Sequence, residues 1–170
     1  ETGKRFIYVG YLQVAELDAT NETETASPIL RKTYLWDPME SVATRILAMS
    51  VFDEAGVYQE DLYYTHDLLK NTTALFGIQG GRRALYEYSP YGDIIKMEGN
   101  AAEINPFRFS SEYLDDDLGL VYYNYRYYNV LDGRWINRDP MAENAGFNLY
   151  CFVSNKLSID YLGLIELDNV

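Results

Sequence analysis

One histidine, one cysteine and a run of three aspartates are the scarce residues that could carry chemistry in this chain of 170 residues. His66 sits in a polar corner, Tyr63-Tyr64-Thr65-His66-Asp67. That context predicts a structural hydrogen bond rather than catalysis or metal binding. Cys151 has no second cysteine to pair with, so no internal disulfide can form. Its apolar neighbours, Leu149-Tyr150-Cys151-Phe152-Val153, predict a buried, inert thiol. With one His and one Cys, the usual nitrogen and sulfur ligands of zinc are too few. Asp115-Asp116-Asp117 lacks the spaced ligands of a calcium loop and reads as a solvated turn. Gly80-Gly81 and Gly133 read as turn glycines, and no phosphate-binding loop or cofactor motif is present. Asn21-Glu22-Thr23 and Asn71-Thr72-Thr73 match the glycosylation pattern, which matters only in a secretory pathway that glycosylates.

Composition narrows the classes further. The formal net charge of -12 argues against nucleic acid as a partner, because phosphate contacts need surplus Lys and Arg. The acidic surface reads as a solubility feature. Hydrophobic residues make up 48%, too many for a disordered chain, and the length suits one domain with a sizeable core. No apolar run approaches the roughly 18 residues of a membrane span. Seventeen tyrosines point to β-structure, since tyrosine favours strands and carries a polar tip at a half-buried surface. No signal peptide opens the chain; Glu1-Thr2-Gly3 is either an added remnant or the start of a piece of something longer.

The elements that must position these residues read as successive hairpins. Arg5–Leu17 predicts one or two strands, Ala19–Pro28 a polar loop, and Ile29–Trp36 a strand stopped by Asp37-Pro38. Ser41–Val51 is read as a strand, Asp53–Gly56 as a turn and Glu60–Thr65 as a strand. His66–Asn71 predicts a bend and Thr72–Ile78 a returning strand. Gly80-Gly81 then predicts a turn with two positive-φ residues, and Arg83–Tyr88 the next strand, ending at Ser89-Pro90-Tyr91-Gly92. An aromatic strand running into a polar corner occurs three times, ending at Asp37-Pro38, His66-Asp67 and Ser89-Pro90-Tyr91-Gly92. This imperfect repeat suggests hairpins in an extended sheet, whose edges need covering.

The stretch YYTHDLLKNTTALFGIQGGRRALYEYSPYGDI resembles a tyrosine-aspartate (YD) repeat of RHS proteins. The stretch from Asn105 to Leu164 resembles the RHS-associated core. Asn105-Pro106-Phe107-Arg108-Phe109, Gly119-Leu120-Val121-Tyr122-Tyr123, Arg126-Tyr127-Tyr128, Gly133-Arg134-Trp135, Asp139-Pro140, Asn148-Leu149-Tyr150 and Gly163-Leu164 follow in the expected order. The resemblance implies a mainly β fold in which YD-repeat hairpins form part of an RHS β-shell and the core forms a C-terminal plug. It implies a YD-repeat sheet region over 1–98, the core over 99–164 and a residual tail over 165–170. It also implies a bacterial, secreted or cell-surface toxin, with a C-terminal cargo polypeptide or the remaining shell strands as partners, or an oligomer through open sheet edges.

For chemistry, the resemblance implies autocatalytic cleavage after the closing Gly-Leu. The catalytic aspartates would be Asp139 and Asp160, the accompanying arginine Arg126, and the cleaved bond Leu164-Ile165. Two close carboxylates resist ionising together, so one could activate water while the other protonates the peptide. The chain departs from the family pattern at Asn129, where an aspartate is usual, and at Lys156 and Tyr161, where prolines are usual. Read as ordinary structure, Asp139-Pro140 starts a turn, Asp160 caps one, and Arg126 stacks within a tyrosine cluster. Two non-enzymatic readings stand beside cleavage. One is a tyrosine-rich β-module for protein or glycan contact; the other is a purely structural shell fragment. Burial separates them: a plug places Tyr122, Tyr123, Tyr127 and Tyr128 against other strands, whereas a binding module puts several on one open face.

Overall fold

The computed structural model describes residues 3–19, 27–40, 45–138 and 150–152, and the backbone of two short strands at Ser158–Asp160 and Glu166–Asp168. Eight strands form one antiparallel sheet in strict chain order. They are β1 (Gly3–Val9), β2 (Leu12–Ala19), β3 (Ile29–Trp36), β4 (Ile46–Phe52), β5 (Tyr58–His66), β6 (Thr72–Gly77), β7 (Arg82–Tyr88) and β8 (Ile94–Glu98). β9 (Tyr113–Asp115), β10 (Leu120–Tyr123), β11 (Arg126–Asn129) and β12 (Arg134–Trp135) form a second sheet, and β13 (Ser158–Asp160) pairs with β14 (Glu166–Asp168).

The hairpins repeat because one corner device repeats. At Asp53 and Asp67 the backbone N–H donates to the carbonyl four residues on, and the carboxylate accepts N–H bonds from the turn. Such a side chain fixes a turn by standing in for a backbone acceptor. Asp37, Ser89 and Asp115 serve similar turns, accepting at their side chains from Met39, Asp93 and both Asp117 and Leu118. The run of three aspartates is therefore a turn in which Asp115 does the structural work.

Alternation along each strand then sorts the faces. Ile46, Met49, Leu62, Leu75 and Ala84 point inward with no exposure, while Leu35 and Tyr63 on the opposite face are exposed. The inward face is covered by the strap that follows β8. Ala101, Ala102 and Phe107 complete its core with Tyr34, Tyr64 and Tyr86. Phe107 meets Tyr34 and Trp36 edge-on, at 4.9 and 5.1 Å between ring centroids. Among the described residues no helix is long and apolar enough to cross a membrane.

Several local expectations need correcting. At the Gly80-Gly81 turn only Gly80 has positive φ, because the turn spans Gly77–Gly81 and needs one left-handed residue. Of the strand read over Ser41–Val51, residues 41–44 lie outside the described residues, and Ile46–Phe52 forms β4. β8 was not foreseen from sequence; it is short and mostly exposed, so its apolar pattern is weak. Cys151 is exposed, not buried: in the run with Phe152 it is Phe152 that turns into the core. Asn71 of the second glycosylation match is buried, with Thr72 fully so, which leaves no room for a glycan. Asn21 of the first match lies outside the described residues.

Candidate functional site

The second sheet carries the aromatic anchor of the C-terminal segment. Its register sets Val121 opposite Tyr128, Tyr122 opposite Tyr127 and Tyr123 opposite Arg126, with Tyr128 in turn opposite Trp135. One face of this sheet makes a second core of Phe109, Val121, Tyr123, Tyr128, Trp135 and Phe152. Tyr123 and Tyr128 have no exposure. Phe152 stacks on Tyr128 at 4.0 Å and meets Trp135 at 5.2 Å. Burial pushes the Tyr128 hydroxyl above its usual range, so it stays a neutral donor, and it donates to the Tyr91 carbonyl at 2.8 Å. Tyr122 and Tyr127 are half-buried on the other face, their rings tilted at 47° to each other with centroids 5.2 Å apart. All four tyrosines therefore pack as a plug would have them.

Arg126 is buried, with its guanidinium 4.0 Å from the centre of the Trp135 ring. A cation over an indole face is held by the ring quadrupole. Asn129, where the resembled pattern has an aspartate, has a structural task here. Its amide donates to Asp132 at 2.8 Å and accepts from the Leu131 N–H at 3.0 Å, fixing the turn into β12. Asp139, Leu164 and Ile165 lie outside the described residues, as do Lys156 and Tyr161. Asp160 is placed by backbone only. It ends β13 and pairs in register with Glu166, so the Leu164-Ile165 bond falls on the stretch that joins the two strands.

Sequence reasoning missed the polar hub beneath the sheet. Asn105 is fully buried. Its carbonyl oxygen accepts from the Tyr64 hydroxyl at 2.7 Å and the Phe107 N–H at 3.0 Å. Its amide donates to the Phe107 carbonyl at 2.9 Å and the Tyr86 hydroxyl at 3.3 Å. Arg108, also buried, donates to the Asn105, Ala102 and Glu103 carbonyls. The signal was present in the Asn-Pro-Phe-Arg-Phe phrase, where two polar residues alternate with core aromatics. Nε2 of His66 is buried with no hydrogen-bond partner. Its ring lies parallel to Tyr64 at 6.1 Å, and burial, helped by Arg45, lowers its pKa to about 4.

No protein-family model matches the chain. Over 168 residues it is 27% identical to double-stranded DNA deaminase toxin A of Burkholderia cenocepacia (strain H111), covering 95% of this chain and 12% of that toxin. It is 30% identical over 107 residues to toxin subunit YenC2 of Yersinia entomophaga, covering 59% of this chain and 11% of the subunit. The crystal structure of TcdB2-TccC3-Cdc42 shares its fold, with a TM-score of 0.72 at 25% identity over 95% of this chain and 8% of that one.

The chain is related to RHS-type toxin proteins.

The chain spans about a tenth of the length of each of these relatives. Its antiparallel meander is the sheet of such a shell, and the strap and second sheet sit where the resemblance expects a plug.

Proposed function

We propose that the chain contributes strands to the β-shell of a secreted or cell-surface bacterial toxin, and that its terminal segment cuts itself after Leu164. Asp139 and Asp160 form the acid and base pair, and Arg126 steadies one carboxylate in its ionised form. The ionised member takes a proton from water as it attacks the Leu164 carbonyl; the protonated member delivers a proton to the departing amine of Ile165. The bond is tethered to Asp160 four residues away, so placement replaces a binding step. A C-terminal cargo is the released partner, and the outer edges of β1 and β8, which pair with no other described strand, take further shell strands.

The observation that supports this reading best is the packing of Trp135 on Phe152. Asp139 follows Trp135 by four residues and Asp160 follows Phe152 by eight. Two segments pinned side by side in one aromatic core can bring both aspartates together, within the roughly 3.5 Å per residue that a chain spans. The test is to lengthen the chain beyond Val170 with a folded reporter and measure masses over time. Wild type should release a fragment beginning at Ile165, and Asp139→Asn or Asp160→Asn should slow release by about a hundredfold or more. Wild type that stays intact, like Asp139→Asn, removes the enzymatic reading and leaves a structural shell fragment. A second reading, a binding surface, draws support from the exposed Tyr8, Tyr11 and Tyr125 gathered where the first hairpin meets the plug.

A further inference from the structure

The strap over the large sheet is fastened at the corner between β5 and β6. Thr72 donates from its N–H to the Arg108 carbonyl and from its hydroxyl to the Phe107 carbonyl, both at 2.9 Å. The Ser110 N–H donates to Asn71 Oδ1 at 2.8 Å, and the Ser111 hydroxyl donates to the Lys70 carbonyl at 2.7 Å. Lys70, Asn71 and Thr72 thus hold the strap from Phe107 to Ser111. The held segment is strained. Ser110 and Ser111 have φ of +54° and +58°, two successive side-chain-bearing residues in the left-handed region. Such a pair persists only while its surroundings impose it, so the corner bonds keep a stretch that relaxes once they open.

His66 stands at the head of this corner. Its ring lies parallel to Tyr64, whose hydroxyl donates to Asn105 of the strap. The charged groups that face the ring are Arg45, Asp67, Glu40 and Lys70. Both carboxylates are committed elsewhere. Asp67 accepts from the Leu69 and Asn71 N–H groups and from the Asn71 amide. Glu40 pairs with Lys70 and with Arg45. Arg45 Nε, like His66 Nε2, is buried with no partner. Neutral imidazole tolerates this place, because one nitrogen needs no acceptor. Imidazolium carries N–H on both nitrogens, so Nε2–H becomes a buried donor without an acceptor, beside two cations. Opening the corner to water removes that penalty. The open form therefore binds the proton more tightly than the closed one, and acid favours opening.

We propose that the β5–β6 corner is an acid-released latch: protonation of His66 frees the strap from Lys70, Asn71 and Thr72, while the strands of the large sheet stay paired. The latch is independent of self-cleavage and stands whether or not the chain cuts itself. Amide hydrogen exchange of the full chain, corrected for the intrinsic effect of pH, tests it. Protection of the Ser110 amide should fall about a hundredfold from pH 7 to pH 4. That ratio follows from a histidine that titrates near 6.5 in the open form and near 4 in the closed one. Met49 and Leu62, on the central strands β4 and β5, should keep their protection. His66→Gln, neutral at both pH values, should abolish the change at Ser110. The proposal falls if Ser110 stays protected at pH 4, if His66→Gln loses protection as wild type does, or if Met49 and Leu62 open in step with Ser110. Should His66→Gln fail to fold, the wild type still decides. Its single histidine gives ring resonances whose titration must track the opening at Ser110, and a ring that titrates while Ser110 stays protected overturns the latch.

Discussion

Asn105→Ala is the most exacting test of how the strap is held. The substitution deletes four hydrogen bonds, but the cost is set by the groups left behind. The Phe107 carbonyl keeps the Thr72 hydroxyl at 2.9 Å, and the Tyr86 hydroxyl keeps the Ala102 carbonyl at 2.8 Å. Two donors are stranded. The Tyr64 hydroxyl retains only the Met49 sulfur at 3.8 Å, and the Phe107 N–H keeps nothing among the bonds described. At about 1–3 kcal/mol for each stranded group, the loss should be about 3–5 kcal/mol. Urea denaturation should show the midpoint fall with its slope unchanged. Thermal unfolding should drop by about 6–20 °C, at about 2–4 °C per kcal/mol for a chain of this size. Tyr64→Phe in the Asn105→Ala background removes one stranded donor and should recover about 1–2 kcal/mol, so the pair must be non-additive. A loss under about 1 kcal/mol, or strict additivity, would refute the hub.

Three further outcomes follow from the same structure. Because His66 titrates near pH 4 when folded and near 6.5 when unfolded, the unfolded state binds the extra proton between them. Its contribution to stability is therefore full above about pH 6.5 and is lost as pH falls toward 4. The difference between wild type and His66→Gln across that window isolates it from the carboxylates, and an unchanged difference would contradict the burial. Gly92→Ala should destabilise by about 2 kcal/mol or more, since φ is +91° and a Cβ would lie 2.6 Å from the Phe109 ring. Gly10→Ala, at φ +62° with nothing within 4 Å, should cost only about 1 kcal/mol. Chemical denaturation of the two variants side by side checks the ranking. Exposed Cys151 should react with a thiol reagent in native protein as fast as after unfolding, within a few fold; strong native protection would place it in the core after all.

Much of the sheet was legible because each strand carries its own punctuation. Ile29–Trp36 ends at Asp37, and Tyr58–His66 ends at Asp67, where side-chain oxygens close the turn. Local chemistry of that kind is written in adjacent residues. Cys151 was misread because an apolar run does not reveal which of its neighbours faces inward until the register is known; its bridge to Arg134 settles that. Asn105 was hidden for a different reason. Its partners Tyr64 and Tyr86 are 41 and 19 residues away, and no spacing rule links them. Of the proposed cleavage group, only Arg126 has a described side chain, and its place over Trp135 matches the stacking that the tyrosine-rich context suggested.

Strict chain-order pairing has a consequence for how this polypeptide comes into being. Every strand of the large sheet finds its neighbour in the hairpin just made, so a ribosome can lay the sheet down as the chain emerges. The lid is delivered last. Until Asn105 and Phe107 arrive, Met49, Leu62 and Leu75 have no cover, and the half-made product is a greasy ribbon that invites a chaperone or another nascent chain.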